Sequence, residues 1–257
     1  MITNSTISIV LPAFNEEANL KGTVDEVLMA MDGRFRDYEL VVVDDGSTDR
    51  TGEIANSLAG TNPRIRVLHN GVNRGFGFSY RRGVQAATCD YVGFFPTDDC
   101  VPSQSMEAIF DQVGKADIIV NFTSNPEIRR PVRRVISRAY TRLINVLFGL
   151  RLNYVNGPTV HRREVIQAVK VSTDGFALFA EVMVRLIRSG HSYLEIGIPI
   201  RERKQGGVKA FKPKNVVSVL KTVCFLFWDV NVMHRKEYNQ LGRPVPDQPV
   251  RQLDYRK

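Results

Sequence analysis

Residues 41–49 read VVVDDGSTD: three consecutive valines run straight into two carboxylates, a glycine and a Ser-x-Asp. A short, uninterrupted apolar run of β-branched residues is the pattern of a strand buried on both faces, which belongs to a parallel sheet. A carboxylate beside buried valine needs hydrogen-bond donors or a ligand, since it has lost its water. Asp44 and Asp45 therefore suit an N–H of a nucleobase or a ribose hydroxyl, with a turn-and-cap role as the alternative. Asp49 and Thr51 fit the capping positions of a helix that follows.

The same order of apolar strand, then polar loop, recurs on either side. IVLPAFNEE (9–17) ends a strand at Pro12 and brings Asn15 and Glu16 to what reads as a helix opening. Backbone groups there and the Glu16 carboxylate suit a ribose or base, while Asn15 also reads as a helix cap. YVGFFPTDD (91–99) ends in Asp98 and Asp99, oxygen ligands of the kind Mg²⁺ or Mn²⁺ takes when it bridges a diphosphate. Runs at 7–11, 38–43, 65–68, 91–95 and 117–121 predict strands, and patterns at 17–31, 49–59, 75–87 and 103–113 predict helices between them. The alternation predicts an α/β fold: a mostly parallel central sheet, helices on both faces, ligands beyond the carboxyl ends of the strands.

After residue 128 the pattern changes. Val132, Val135, Ile136, Ala139, Tyr140, Leu143 and Leu147 recur at spacings of three and four, predicting an amphipathic helix of about 18 residues. Arg130, Arg134, Arg138 and Arg142 recur on its other side. A helix at 176–189, a strand at 193–197, a basic loop at 201–212 and a helix at 213–232 follow, and residues 239–257, with three prolines, read as a mobile tail.

Charge divides the chain in the same place. Residues 1–127 hold 10 Lys/Arg against 18 Asp/Glu, a net −8, and residues 128–257 hold 25 against 9, a net +16. Residues 128–163 alone carry nine arginines and no acid, which accounts for the whole excess of +8. Such a segment suits anionic lipid head groups or an anionic substrate, with a solvated helix face as the alternative; no nucleic acid partner is expected.

Composition excludes other classes. With 257 residues, 43% hydrophobic and 24% charged, the chain is globular rather than disordered. Cys89, Cys100 and Cys224 form no CxxC, which argues against a disulfide framework or zinc knuckle and fits a reducing compartment. His69, His161, His191 and His234 show no metal-ligand spacing and read as structural or surface residues. No basic region followed by an apolar stretch opens the chain, and no uninterrupted apolar run approaches about 18 residues, so neither a signal peptide nor a spanning helix is expected.

Taken together, the three acid-bearing loops resemble the nucleotide-sugar domain of family 2 glycosyltransferases, the GT-A fold. NRGFGFSYRRGVQAA (73–87) is similar to that family's Asn-x-Gly helix start, which includes Gly75. The second half narrows the resemblance to polyprenyl-phosphate sugar transferases of the dolichyl-phosphate mannosyltransferase type. RRVISRAY (133–140) resembles an Arg-x-x-x-Ser helix start, LNYVNGP (152–158) an Asp-x-x-x-Gly segment with Asn153 for the Asp, and FALFAEVMVRLIRSGH (176–191) a helix with an inward Glu, Glu181. LEIGIPIRERKQGGVK (194–209) resembles a Glu-x-x-Pro-Ile strand followed by Arg-x-x-Gly-x-Ser-Lys, here Arg203, Gly206, Val208 and Lys209. The resemblance spans residues 7–212.

The resemblance implies inverting transfer of a sugar from a nucleotide-diphosphate sugar, GDP-mannose as first guess, to a polyprenyl monophosphate. It implies donor binding by Pro12, Ala13, Asn15, Glu16, Asp44, Asp45 and Gly75. It implies acceptor-phosphate binding by Arg133, Ser137, Arg203 and Lys209, catalysis by Asp98, Arg203 and Lys209, and Mg²⁺ or Mn²⁺ on Asp98 and Asp99. Residues 1–127 then form the donor half and 128–238 the acceptor and membrane-surface half, peripheral on the cytoplasmic face of an anionic membrane. In the helix at 213–232, Phe225, Phe227 and Trp228 suit the lipid interface, with core packing or a dimer contact as alternatives. The chain departs from the family where Pro96 stands for the first acid of its Asp-x-Asp, where Cys100 replaces a polar residue, and where NFTSNPE (121–127) lacks its Ser-Arg. Two rival readings follow: a hydroxyl acceptor, with Glu181 or Asp174 as base, and a nucleotide-sugar-binding homologue without activity.

Overall fold

The computed structural model of the protein describes residues 3–98, 100–202 and 213–245. Seven strands form one sheet: β1 (Ile7–Ala13), β2 (Tyr38–Asp44), β3 (Ile65–His69), β4 (Tyr91–Phe94), β5 (Ile118–Thr123), β6 (Thr159–Arg162) and β7 (Tyr193–Ile198), in the order β3-β2-β1-β4-β6-β5-β7. The pairs β1–β2, β2–β3, β1–β4 and β5–β7 are parallel. The expected mostly parallel sheet is present, with one element unforeseen: β6 lies antiparallel between β4 and β5. Its four residues, Thr159, Val160, His161 and Arg162, include two with ring or guanidinium side chains and carry no apolar run to mark a strand.

Among the described residues eight α-helices surround the sheet: α1 (Leu20–Met31), α2 (Thr51–Thr61), α3 (Phe76–Ala86), α4 (Ser103–Phe110), α5 (Pro131–Phe148), α6 (Arg163–Ala168), α7 (Leu178–Arg188) and α8 (Pro213–Trp228). Side chains alternate across a strand, so Leu40 and Val42 enter one core with α1 and α4, and Val41 and Val43 enter the other with α3 and α7. Both faces being covered is why β2 reads as an unbroken apolar run. Register aligns Ala13 with Asp44 and Asp44 with His69, so the acidic loops emerge together at one sheet edge.

The helices of the second half depart from expectation in what they cover. In α5 only Thr141, Ile144 and Phe148 are buried, while Val132, Val135, Ile136, Leu143 and Val146 stand exposed. The apolar stripe therefore faces outward, because the core contact is made by a different face of the helix. α8 continues through a π-turn, Asp229–Met233, and leaves Val217, Leu220, Phe225 and Trp228 bare. The two helices meet at Phe148 and Phe227, whose ring centroids are 6.4 Å apart. Where no spanning helix was expected, Asn215–Met233 is long and apolar enough to cross a membrane by length and composition. Residues 239–245, at the start of the proline-containing tail, are held along β7: Tyr193 N–H donates to Arg243 O and Val245 N–H to Tyr193 O.

Candidate functional site

The loops that end β1 and β2 and the one that opens α3 are laced into one surface at the strand edge. Asp45 is 3% exposed, and its carboxylate accepts the Asn70 side-chain amide at 2.7 Å and the backbone N–H groups of Arg74 and Gly75 at 2.9 and 2.8 Å. These donors come from the segment that opens α3, so Asp45 fixes the helix start and Gly75, at φ 91°, marks it. Asp44 accepts the Ser47 N–H at 3.0 Å, and its other oxygen lies 2.9 Å from Nδ1 of His69, whose Nε2 is 3.0 Å from Asn56 Oδ1. Burial pushes the Asp44 carboxyl upward, but hydrogen bonds from Ser47 and His69 outweigh it and hold the group ionised below the ordinary range. Gly46, at φ 70°, lies so near the next loop that a Cβ would sit 2.5 Å from the Val72 carbonyl carbon.

Asn15 and Glu16 do not open a helix, since α1 begins at Leu20. Asn15 takes the left-handed conformation, φ 56°, its Oδ1 accepts the Thr48 N–H at 2.9 Å and its N–H donates to Ser47 Oγ. Glu16 donates its N–H to Thr51 Oγ1, and its carboxylate accepts the Asn19 amide. Asp49 accepts the Thr51 N–H at 2.9 Å at the start of α2. The carbonyl of Ala13 accepts the Asp45 N–H, and that of Pro12 accepts the Thr97 hydroxyl. The structure thus unites Pro12, Ala13, Asn15, Glu16, Asp44, Asp45 and Gly75.

Thr97 ties the loop after β4 to this surface and so brings Asp98 to the same edge. Asp99, Arg203 and Lys209 lie outside the described residues. The Asp98 loop also meets the end of β7, where Arg201 N–H donates to Cys100 O. Asn125 clamps that end, its side-chain amide donating to Ile200 O and accepting the Ile200 N–H, each at 2.9 Å. Mg²⁺ is commonly held by one or two carboxylates and completed by substrate phosphates, and Asp98 fits that pattern, whereas the soft thiol of Cys100 does not. Among the described residues no group of three or more His, Cys, Asp or Glu side chains that could hold a metal ion gathers.

Arg133 and Ser137 lie on α5. Both are half-buried and fall at helical spacing with buried Ile144, which places them on the inward face, while Arg138 and Arg142 are exposed. The two candidate bases are engaged elsewhere. Glu181 is fully buried and accepts Ser172 N–H and Oγ–H and the Arg185 guanidinium, which also donates to Asp229 at 2.6 Å and Tyr238 at 3.0 Å. Burial alone would weaken the Arg185 charge, but its bonds to Asp229, Tyr238 and Glu181 raise its pKa. Asp174 is held by Arg81, two N–H groups reaching its two oxygens at 2.7 and 2.8 Å.

His69, Asn70, Thr97 and Asn125 belong to the site or its supports and were not singled out as such in the sequence. His69 had a recoverable signal: it is the last residue of β3, aligned with the last residue of β2. Two cavities open elsewhere. One of about 550 Å³ is bounded by α6, α7 and Tyr238, and one of about 330 Å³ lies near Ser5 and Arg162 at the opposite strand ends.

The sequence model of "Glycosyl transferase family 2" matches residues 8–170. Glycosyltransferase AglD of Haloferax volcanii is 27% identical over 239 residues, which is 89% of this chain but 38% of that protein. The chain therefore spans well under half of AglD. A dolichyl-phosphate hexose transferase of the same organism is 27% identical over 205 residues, covering 78% of this chain and 85% of that one. The fold is similar to that of glucosyl-3-phosphoglycerate synthase from Mycobacterium tuberculosis, solved with Mn²⁺, uridine-diphosphate-glucose and phosphoglyceric acid. The TM-score is 0.65 at 19% identity, over 87% of this chain and 80% of that one.

Proposed function

The chain belongs to glycosyl transferase family 2, and from that premise we propose that it transfers a hexose from a nucleotide-diphosphate sugar to a polyprenyl monophosphate at a membrane surface. GDP-mannose is the first candidate donor, and the cytoplasmic face of the membrane the expected place. The observation that carries this reading is α5. Its inward face holds Arg133 and Ser137, its exposed edge Arg138 and Arg142, and its outer face bare valine, isoleucine and leucine beside the equally bare α8. A helix with cations toward the body and hydrocarbon toward the outside suits an acceptor that is part anion and part lipid. The 27% identity to a dolichyl-phosphate hexose transferase over most of both chains supports the same acceptor class.

The chemistry needs little from a base, because a phosphate monoester is already an anion at neutral pH. One of its oxygens attacks the anomeric carbon as the bond from that carbon to the diphosphate oxygen breaks. The electron pair leaves with the nucleotide diphosphate, and the anomeric configuration inverts. In this reading the surface built by Pro12, Ala13, Asn15, Glu16, Asp44 and Asp45 holds the nucleoside, and the α3 start at Gly75 faces the diphosphate. Arg133 and Ser137, with Arg203 and Lys209, offset the repulsion between the two phosphate groups; the planar fork of arginine suits this because it grips two oxygens at once. Asp98 and Asp99 are the residues that would hold a divalent ion, which would supply neutralisation of charge on the leaving diphosphate. A hydroxyl acceptor would need a base, and the commitment of Asp174 to Arg81 and of Glu181 to Arg185 speaks against the two candidates.

The test is to incubate purified protein with labelled nucleotide sugars and a short polyprenyl phosphate, with and without Mg²⁺ or Mn²⁺. Label in an organic-extractable, acid-labile product is the expected result, lost on adding EDTA. Nucleotide-sugar binding with no such product from any donor refutes the reading and points to another acceptor or an inactive homologue.

A further inference from the structure

Two phenylalanines with no part in the mechanism above stand bare where α3 meets the segment before α7. Phe76, on the first turn of α3, is 43% exposed, and Phe176 is 48% exposed. They flank a single point of close approach, because a Cβ on Gly77 would collide with the backbone of Asp174. Arg81 locks that contact through its bidentate pair with Asp174. The ring of Phe76 is backed by Phe94 and Phe179, with centroids 5.6 and 5.8 Å away, so it is held rather than loose. On its other side the segment meets α8: a Cβ on Gly175 would lie 3.7 Å from Ser218 Oγ. Beside Ser218 stand Val217 and Leu220, both about half exposed on the bare face of α8, at 51% each. Exposed hydrocarbon thus stands on α8, on the Phe176 segment that meets α8 at Gly175, and on the first turn of α3, one residue from the Gly75 N–H that donates to Asp45.

We propose that Phe76 and Phe176 seat the hydrocarbon of the acceptor, taking the isoprene units next to its phosphate. The inference rests on the polyprenyl-phosphate reading and deepens it by naming the residues that select a lipid acceptor. Two features identify the occupant. The seat is continuous with the bare face of α8, and its inner end adjoins the helix start assigned to the donor diphosphate, so a chain lying along it delivers its head group to that point. Arg81 and Asp174, beside the seat, are spent on each other and offer little to a polar acceptor. Arg81 and Asp174 act as positioning residues, holding the Phe176 segment against α3.

The experiment uses the full chain in detergent with whichever nucleotide sugar it transfers. The acceptors are undecaprenyl phosphate and the phosphate of a two-isoprene alcohol, and nucleotide Kd is measured by calorimetry. Phe176→Ser and Phe76→Ser should each raise KM for the two-isoprene acceptor about tenfold, the scale of one large apolar contact, with kcat and nucleotide Kd unchanged. Phe176→Leu should restore most of the loss, and Arg81→Ala should move KM in the same direction as the serine variants. Unchanged KM in both serine variants overturns the seat alone. A parallel rise in nucleotide Kd also overturns it, by placing the rings in donor binding or in the fold. Nucleotide binding by the unsubstituted protein without transfer to either lipid phosphate removes the acceptor reading and the seat together.

Discussion

The donor edge and the α5–α8 pair meet water in opposite ways. At the donor edge Asp44, Asp45, Asn15 and Thr51 are joined by short hydrogen bonds between loops far apart in sequence, and the two acids are nearly buried. Those bonds hold the loops in one arrangement, so in the proposed donor-binding role the surface is organised in advance. The α5–α8 pair instead leaves Val135, Val146, Phe225 and Trp228 more than half exposed. It is fastened from beneath by α7, where Arg185 reaches Asp229 and Arg188 reaches Phe148 O and Asn231. One region is finished by its own polar groups; the other has an anchored inner side and an outer side whose exposed apolar area favours a lipid surface.

The contrast can be broken most severely at the anchor. Glu181→Ala strips a buried arginine of one partner and leaves Ser172 unpaired, so a loss of about 3–5 kcal/mol is expected in urea unfolding. Loss of vesicle binding with nucleotide Kd intact in the fraction still folded would show that the two regions fail separately. Next in size, Asp45→Ala removes the acceptor of three N–H groups and releases the start of α3. Nucleotide Kd by calorimetry should rise about 100-fold, on the scale of two hydrogen bonds to a charged group, while vesicle binding stays the same. The reverse pattern is expected of Phe225→Ser with Trp228→Ser. Sedimentation with anionic vesicles should show about tenfold weaker binding, with an unchanged melting temperature because both side chains are exposed. An unaltered vesicle affinity would end the membrane-surface assignment.

The smallest effect concerns the sheet that joins the two regions. His161, on β6, is fully buried, and burial lowers its pKa to about 3. An unfolded histidine takes up a proton near pH 6.5, so between about 6.5 and 3 the unfolded chain binds more protons and stability falls as pH falls. Melting temperatures recorded from pH 7.5 to 5 should decline, and His161→Gln should flatten that decline. Asp44 behaves differently: its depressed pKa keeps its contribution intact above the ordinary carboxylate range and loses it only as pH drops through the lowered value.

Much of the architecture was legible because it is written locally. Short apolar runs such as VVVDD and its two counterparts located β1, β2 and β4 and put acids at their ends, and spacing of three and four located α5. β6 was missed because four residues containing His161 and Arg162 carry no periodic signal of their own; antiparallel neighbours on both sides make them a strand. Asn15 reads as a helix cap locally, yet it binds Thr48, 33 positions along the chain. Asp44 and Asp45 could be seen to need donors, but not that His69, Asn70 and the N–H of Gly75 supply them.

By itself the sequence determined the order of the strands and helices other than β6 and α6, the acids at the strand ends, and a second half whose excess of arginine falls in residues 128–163. These follow from side-chain periodicity and charge, which a residue shares only with near neighbours. Which face of α5 is buried, which carboxylates are already spent on arginine, and which phenylalanines stay bare beside Gly77 were decided only when distant segments packed together. Each depends on what occupies the space opposite a side chain, and that neighbour can lie anywhere in the chain.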